Sequence, residues 1–215
     1  MIYLTVCQLT LCKVSSRLYT MSSKNLDTRT KILQATWKLL EEQPVKDVSM
    51  SAIAKQTGIS RQALYLHFAS RTELMIATTE YVDEVKGLYQ RMEKIISATT
   101  GTGMLEAYVE VWGNYMPEIY GIAKALLRVM ESDEAASAAW YRCMDCLREV
   151  CQQIIQTLEK EGKLSDALKP DDAVDYLLMS LSIEQWELLT KECGWSDEKY
   201  VREMKRLLVH SFVTG

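Results

Sequence analysis

The chain has 215 residues, 48% of them hydrophobic, with three prolines and nine glycines. That is enough for one or two domains with a sizeable core, and it favours helix. The formal net charge is −4, which taken whole argues against a nucleic-acid binder. No G-x-S-x-G, P-loop, H-E-x-x-H or Cys/His pair marks an enzyme.

The charge is unevenly spread. Residues 24–71 carry eight Lys/Arg against four Asp/Glu, residues 1–23 add two Lys/Arg and no acid, and residues 72–215 carry 15 bases against 25 acids. The basic N-terminal end suits phosphate contact, and the acidic remainder should avoid DNA.

The first twenty residues are mildly apolar, but too short and too polar to span a bilayer. They lack the cationic start and cleavage site of a secretory signal. Met21 opens Met-Ser-Ser-Lys, a natural beginning for the first helix, so residues 1–20 read as a disordered extension or an over-called start. A first helix is expected over about Thr28 to Gln43, burying Ile32, Leu33, Ala35, Leu39 and Leu40. Trp37 adds to that set or faces the fourth helix. Pro44 prevents continuation.

Two short helices follow, joined by a tight turn. Ser49 caps the first, and Ile53 and Ala54 face the core. Gly58 ends it, because a left-handed conformation is cheap for glycine alone. Ile59 packs back and Ser60 caps the second helix. Leu64 and Phe68, four residues apart, share a buried face. That leaves Arg61, Gln62, Tyr65 and His67 outward. Ser70 and Glu73 form a capping box that opens a third helix of this segment. The pattern over about 49–68 is that of a helix-turn-helix.

These residues carry a family resemblance. The segment from about Thr28 to Leu74 resembles the N-terminal DNA-binding domain of TetR-family transcriptional regulators. The match rests on Ile32-Leu33-x-Ala35, Ser49-x-x-x-Ile53-Ala54, Gly58-Ile59-Ser60, Leu64-Tyr65-x-His67-Phe68 and Arg71-x-Glu73-Leu74. The family commonly has Lys where this chain has Arg71, and either cation can meet a phosphate. Positions 61–63 vary in the family, so no operator transfers. On this reading Arg61 has the geometry for guanine, Gln62 for adenine, and Ala63 offers a methyl to thymine. Ser49, Ser60, Tyr65, His67 and Arg71 are expected to hold phosphates, which fixes register without reading sequence. The free amides at the starts of the second and fourth helices are expected to add anion contacts.

The fourth helix is expected to run from Ser70 to about Ala98, about 40 Å at roughly 1.5 Å per residue. Thr99-Thr-Gly-Thr-Gly103 then breaks the chain. Helices are expected over about 104–116, interrupted or kinked by Pro117, then 118–131, Asp133 to Glu161 closing at Gly162, and about 170–192 with Pro170 in its first turn. Gly194 ends that one and Ser196 caps the last.

The last two helices carry wide apolar faces. One is formed by Val174, Leu177, Leu178, Leu181, Trp186 and Leu189, the other by Val201, Met204, Leu207, Leu208 and Phe212. Part of each packs on the protein's own core, and the pair suits a two-fold four-helix interface, so a homodimer through about 170–212 is expected.

Aromatic and methionine side chains crowd the middle helices: Tyr108, Trp112, Tyr115, Met116, Tyr120, Met130, Trp140, Tyr141, Met144 and Trp186. Singly each reads as core. The resemblance implies a small-molecule effector bound among them, lipophilic in character, with Glu110, Glu118 or Glu131 weakly favouring a cation. Cys143, Cys146, Cys151 and Cys193 read as reduced, partly buried thiols. No cofactor, metal or membrane partner is expected.

The expected protein is all-α and cytoplasmic. A three-helix DNA-binding domain (24–74) follows the extension (1–23), and a long fourth helix links it to a helical regulatory and dimerisation domain (75–215). The expected function is a dimeric repressor released from a palindromic double-stranded DNA operator by a ligand, or alternatively a ligand-independent regulator or activator of the same fold.

Overall fold

A computed structural model describes residues 23–42 and 44–214. The expectations for residues 1–20, Met21 and the two leader cysteines fall outside the described residues. The described chain is helical: α1 (Ser23–Glu42), a 3₁₀ turn (Val45–Asp47), α2 (Met50–Thr57), α3 (Arg61–His67), α4 (Arg71–Val85), α5 (Leu88–Ile96), α6 (Gly101–Leu127), α7 (Glu134–Lys160), α8 (Pro170–Ser180), α9 (Ile183–Glu187) running into a π turn (Leu188–Glu192), and α10 (Asp197–Phe212). Among the described residues β pairing is confined to one isolated bridge, Leu164 with Val213. The chain divides into two compact units. Among the described residues, one comprises those up to 81 with 125–146, the other 82–124 with those from 147 on.

In the first unit the local signals operate as the sequence implies. Ser49 Oγ accepts from Ala52 N (3.2 Å) and Ser60 Oγ from Ala63 N (3.0 Å), so both short helices are capped. Gly58, at φ +71°, turns the chain between them. Ser70 Oγ accepts from Glu73 N (3.0 Å), while Glu73 reaches back to Ala69 N (2.8 Å), one residue beyond the usual capping-box partner. Ile32, Leu39, Leu40, Ile53, Leu64 and Phe68 form the core, with Ile32, Ile53, Leu64 and Phe68 fully buried. Burying a side chain of this size stabilises by about 1.5–3 kcal/mol. Ala35 is half-buried rather than core. Residues 125–146 add Leu126, Ala135, Ala136 and Ala139 to the buried residues of this unit.

Three expected helix boundaries are corrected. The expected 40 Å fourth helix is two, because the chain breaks between α4 and α5. Gly87 there adopts φ +69°, which a right-handed helix cannot accommodate. The opposite holds at Pro117, which lies inside α6. The missing amide and the ring's crowding of the Gly113 carbonyl cost about 3 kcal/mol. Burial at helical spacing outweighs that cost, through Tyr108, Val109, Trp112, Tyr115 and Met116 before the proline and Ile122 after it. The expected helix over 170–192 is also interrupted. Ser182 is extended and caps α9 through its hydroxyl (Gln185 N, 3.3 Å). With its nitrogen turned toward α8, the Gln185 amide donates to Ser180 O (2.7 Å) and to Met179 O (3.1 Å), which also accepts from Ser182 N (3.1 Å).

The second unit is held by aromatic packing and ion pairs. Trp112 packs edge-on against Tyr108 (6.1 Å) and Tyr115 (5.6 Å), and Tyr115 donates to Asp83 (2.6 Å). Tyr120 lies 5.2 Å from Trp186 and donates to Glu187 (2.5 Å), which also pairs with Lys124. α6 and α10 come together so closely at Gly113 that a Cβ there would sit 2.6 Å from Val201. At the foot of α6, Gly101 N donates to the Glu161 carboxylate (2.9 Å).

Candidate nucleic-acid interface

The candidate interface is built by α2, the Gly58 turn and α3. Leu64 and Phe68 fix the inner side of α3, and Arg61, Gln62 and Tyr65 are left exposed on the outer side. Arg61 lies over the Tyr65 ring (5.6 Å) and donates to its hydroxyl (3.3 Å), an i, i+4 pair that holds the two side chains together. Ala63 is half-buried, and its amide is spent on the Ser60 cap. Ser49 and Ser60 use their oxygens as cap acceptors. Each hydroxyl proton remains a donor that a phosphate could accept.

His67 is half-buried. Burial, and then the charge of Arg29, lower its pKa below the ordinary value, so the ring favours its neutral form. Arg29 donates to His67 O (2.6 Å) and lies 3.9 Å over the Phe68 ring, closing the end of α3 from α1. The phosphate role expected of Arg71 meets a different arrangement. Its guanidinium donates to Val48 O (2.8 Å), Val45 O (3.0 Å) and Asp133 Oδ1 (2.6 Å), so it is spent on internal partners.

Two features were not drawn from the sequence. Leu66 is 88% exposed, four residues beyond Gln62 on the same side of α3. Helical periodicity alone could have exposed it. Asp133, the carboxylate partner of Arg71, comes from 62 residues further along the chain, and no local pattern announces such a pair.

The aromatic set expected to surround an effector is divided between the units. Tyr108, Trp112, Tyr115, Met116, Tyr120 and Trp186 belong to the second, and Met130, Trp140, Tyr141 and Met144 to the first. Tyr141 is 55% exposed, whereas Tyr108, Tyr115 and Trp186 are buried. The buried indole nitrogens of Trp112 and Trp186 have no hydrogen-bond partner in the structure. Of the three acids that weakly favoured a cationic ligand, two are engaged: Glu110 pairs with Lys94 and Lys205, and Glu118 with Arg91. Cys151 is buried against the Tyr108 hydroxyl (3.3 Å), and burial pushes its thiol up to about 11, so it is inert near neutrality. Among the described residues, no three or more His, Cys, Asp and Glu side chains gather as for a metal ion, and no helix is long and apolar enough to cross a membrane.

Residues 32–78 match the family model described as "Bacterial regulatory proteins, tetR family". Over this segment the chain resembles the tetR family. Over 76 residues it is 40% identical to the nucleoid occlusion factor SlmA of Marinomonas sp. (strain MWYL1), a match covering 35% of this chain and 38% of that relative. This chain thus spans well under half of the relative it matches. The helical fold also resembles those of solved regulators. A putative transcriptional regulator from Saccharomonospora viridis, solved with choline, superposes with a TM-score of 0.68 over 88% of this chain and 99% of that one, at 16% identity. The regulator FadR of Bacillus subtilis, solved with stearoyl-CoA, superposes with a TM-score of 0.67 over 85% and 98%, also at 16% identity. At that identity the likeness concerns the fold alone.

Proposed function

We propose that this chain is a cytoplasmic, sequence-specific transcriptional repressor. It acts as a homodimer on a palindromic operator, from which a small lipophilic ligand releases it. The observation that carries the reading is the outer side of α3, where Arg61, Gln62 and Tyr65 stand exposed on a helix anchored by Leu64 and Phe68. Arg61, Gln62 and Ala63 read base edges, and Ser49, Ser60, Tyr65 and His67 position the domain on phosphates. Residues 24–74 are the DNA-binding domain and 75–215 the regulatory and dimerisation domain. Support for association through 170–212 comes from Tyr176, Met179 and Leu207, each about half exposed. The paired domains engage half-sites about one DNA turn apart, roughly 34–36 Å. A lipophilic effector is supported by the buried aromatic side chains of the second unit and by the acyl-CoA seen with a protein of the same fold.

Genome-wide recovery of bound DNA tests the reading. A palindrome at a few promoters supports it, and absence of any enriched sequence refutes it. Equal ligand affinity with and without operator would refute ligand release, because coupling must be reciprocal. What would then remain is the ligand-independent regulator. The similarity to a nucleoid occlusion factor favours a second reading, in which the same domain marks many chromosomal sites. In that case the recovered sites would be numerous and dispersed rather than promoter-bound.

A further inference from the structure

Arg71 opens α4 with its guanidinium shared among three internal acceptors. Two are the carbonyls of Val45 and Val48, in the turn just ahead of Ser49, the cap of α2. Arg71 is therefore beside the edge of the helix-turn-helix where DNA backbone contact is proposed. The third acceptor is Asp133, immediately ahead of α7. The same Asp133 oxygen accepts from Ala136 N (3.0 Å), so this carboxylate also caps α7. The two side chains keep 24% and 14% of their surface exposed. Burial alone would raise the Asp133 pKa. The hydrogen bonds from Arg71, Ala136 and Ala135 outweigh burial and hold the carboxyl below its ordinary value, so it is an anion at neutral pH.

The two carbonyls satisfy the geometry of the guanidinium but not its charge. Asp133 supplies the opposing charge. We propose that Asp133 competes internally with DNA phosphate for Arg71 and so weakens the protein's hold on the DNA backbone. The segment leading into α7 thereby sets how strongly, and with what salt dependence, the domain binds. This rests on the reading of residues 24–74 as DNA-binding. A displacement of Asp133 from Arg71 would release one cation to the DNA.

Asp133→Asn separates charge from geometry. Asn caps helices as well as Asp, and its oxygen can still accept from Ala136 and Arg71. The full chain is titrated against a fluorescein-labelled mixed-sequence duplex by anisotropy over a salt series. Circular dichroism checks the fold, and Asp133→Ser serves as a second charge-free cap. The expected result is several-fold tighter binding at low salt and a log–log salt slope steeper by about one, as for one added phosphate contact. Adding Arg71→Ala should abolish the gain, whereas adding Arg71→Lys should keep most of it. An unchanged slope, or weaker binding by a folded Asp133→Asn protein, overturns the proposal while leaving the DNA-binding reading intact. Failure of the wild-type chain to bind the duplex at any salt overturns both.

Discussion

The helix-turn-helix and the second unit solve the same problem by opposite means. α2 and α3 are eight and seven residues long, too short to persist in isolation. They are delimited residue by residue, by Ser49, Gly58 and Ser60, and anchored by a few fully buried side chains. α6 and α7 run for 27 residues each. They are shaped by partners far away in sequence, such as Val201 against Gly113 for α6 and Glu161, just past α7, against Gly101. A surface that must present a fixed set of side chains gains from short, strictly bounded helices. A body built of long helices tolerates a proline because its packing is distributed.

The contrast can be broken by substitution. The largest effect is expected at Phe68, fully buried and covered by Arg29. Phe68→Ala should cost about 3–5 kcal/mol in urea unfolding, and a loss below 1 kcal/mol would show that α3 is not anchored by this ring. In the second unit, Gly101→Ala drives a Cβ to 2.8 Å from the Leu158 backbone nitrogen. Overpacking of that kind costs about 1–3 kcal/mol, although the same change in an open helix would stabilise. A stabilised variant would mean that the α6 and α7 contact yields easily. Arg61→Ala should leave stability unchanged, weaken operator binding by about 1–3 kcal/mol and relax one base position. Selection from a random duplex library reads both effects.

Smaller still is Ser60→Ala. Loss of the α3 cap should cost about 1 kcal/mol, seen as a lower urea midpoint, and Ser60→Asp should restore it. The smallest effect concerns His67. Its folded pKa is depressed, so its contribution is present above the unfolded value near 6.5 and fades as pH falls toward the lower folded value. Thermal melts between pH 7.5 and 5.5 should show a shallow loss of stability that His67→Gln removes. An unaltered pH profile in the variant would assign the loss to another group.

The parts of the molecule legible in the sequence share a physical property. A cap or a left-handed turn is a relation between residues three or four apart, and Ser49, Gly58, Ser60, Ser70 and Ser196 all act where their spacing places them. Gly87 illustrates the limit. The same residue type that reads clearly as a stop after α2 lies unremarked inside an apolar pattern after α4, because a helix interior tolerates glycine at a cost of about 1 kcal/mol. Pro117 is the converse, a local stop overruled by burial on both sides. At the break by Ser182, Gln185 reaches back to α8, a contact that no periodicity encodes.

By itself, the sequence determined the all-helical class, the bounds and buried anchors of the helix-turn-helix, the exposed row on α3 and the local concentration of positive charge. Each follows from short-range backbone and side-chain chemistry. The tertiary structure alone decided where the long helices break, that residues 125–146 cluster with the N-terminal helices, and that Arg71 meets Asp133. Those outcomes turn on contacts between residues tens of positions apart, whose energies exceed local preference and leave no trace in any short window of sequence.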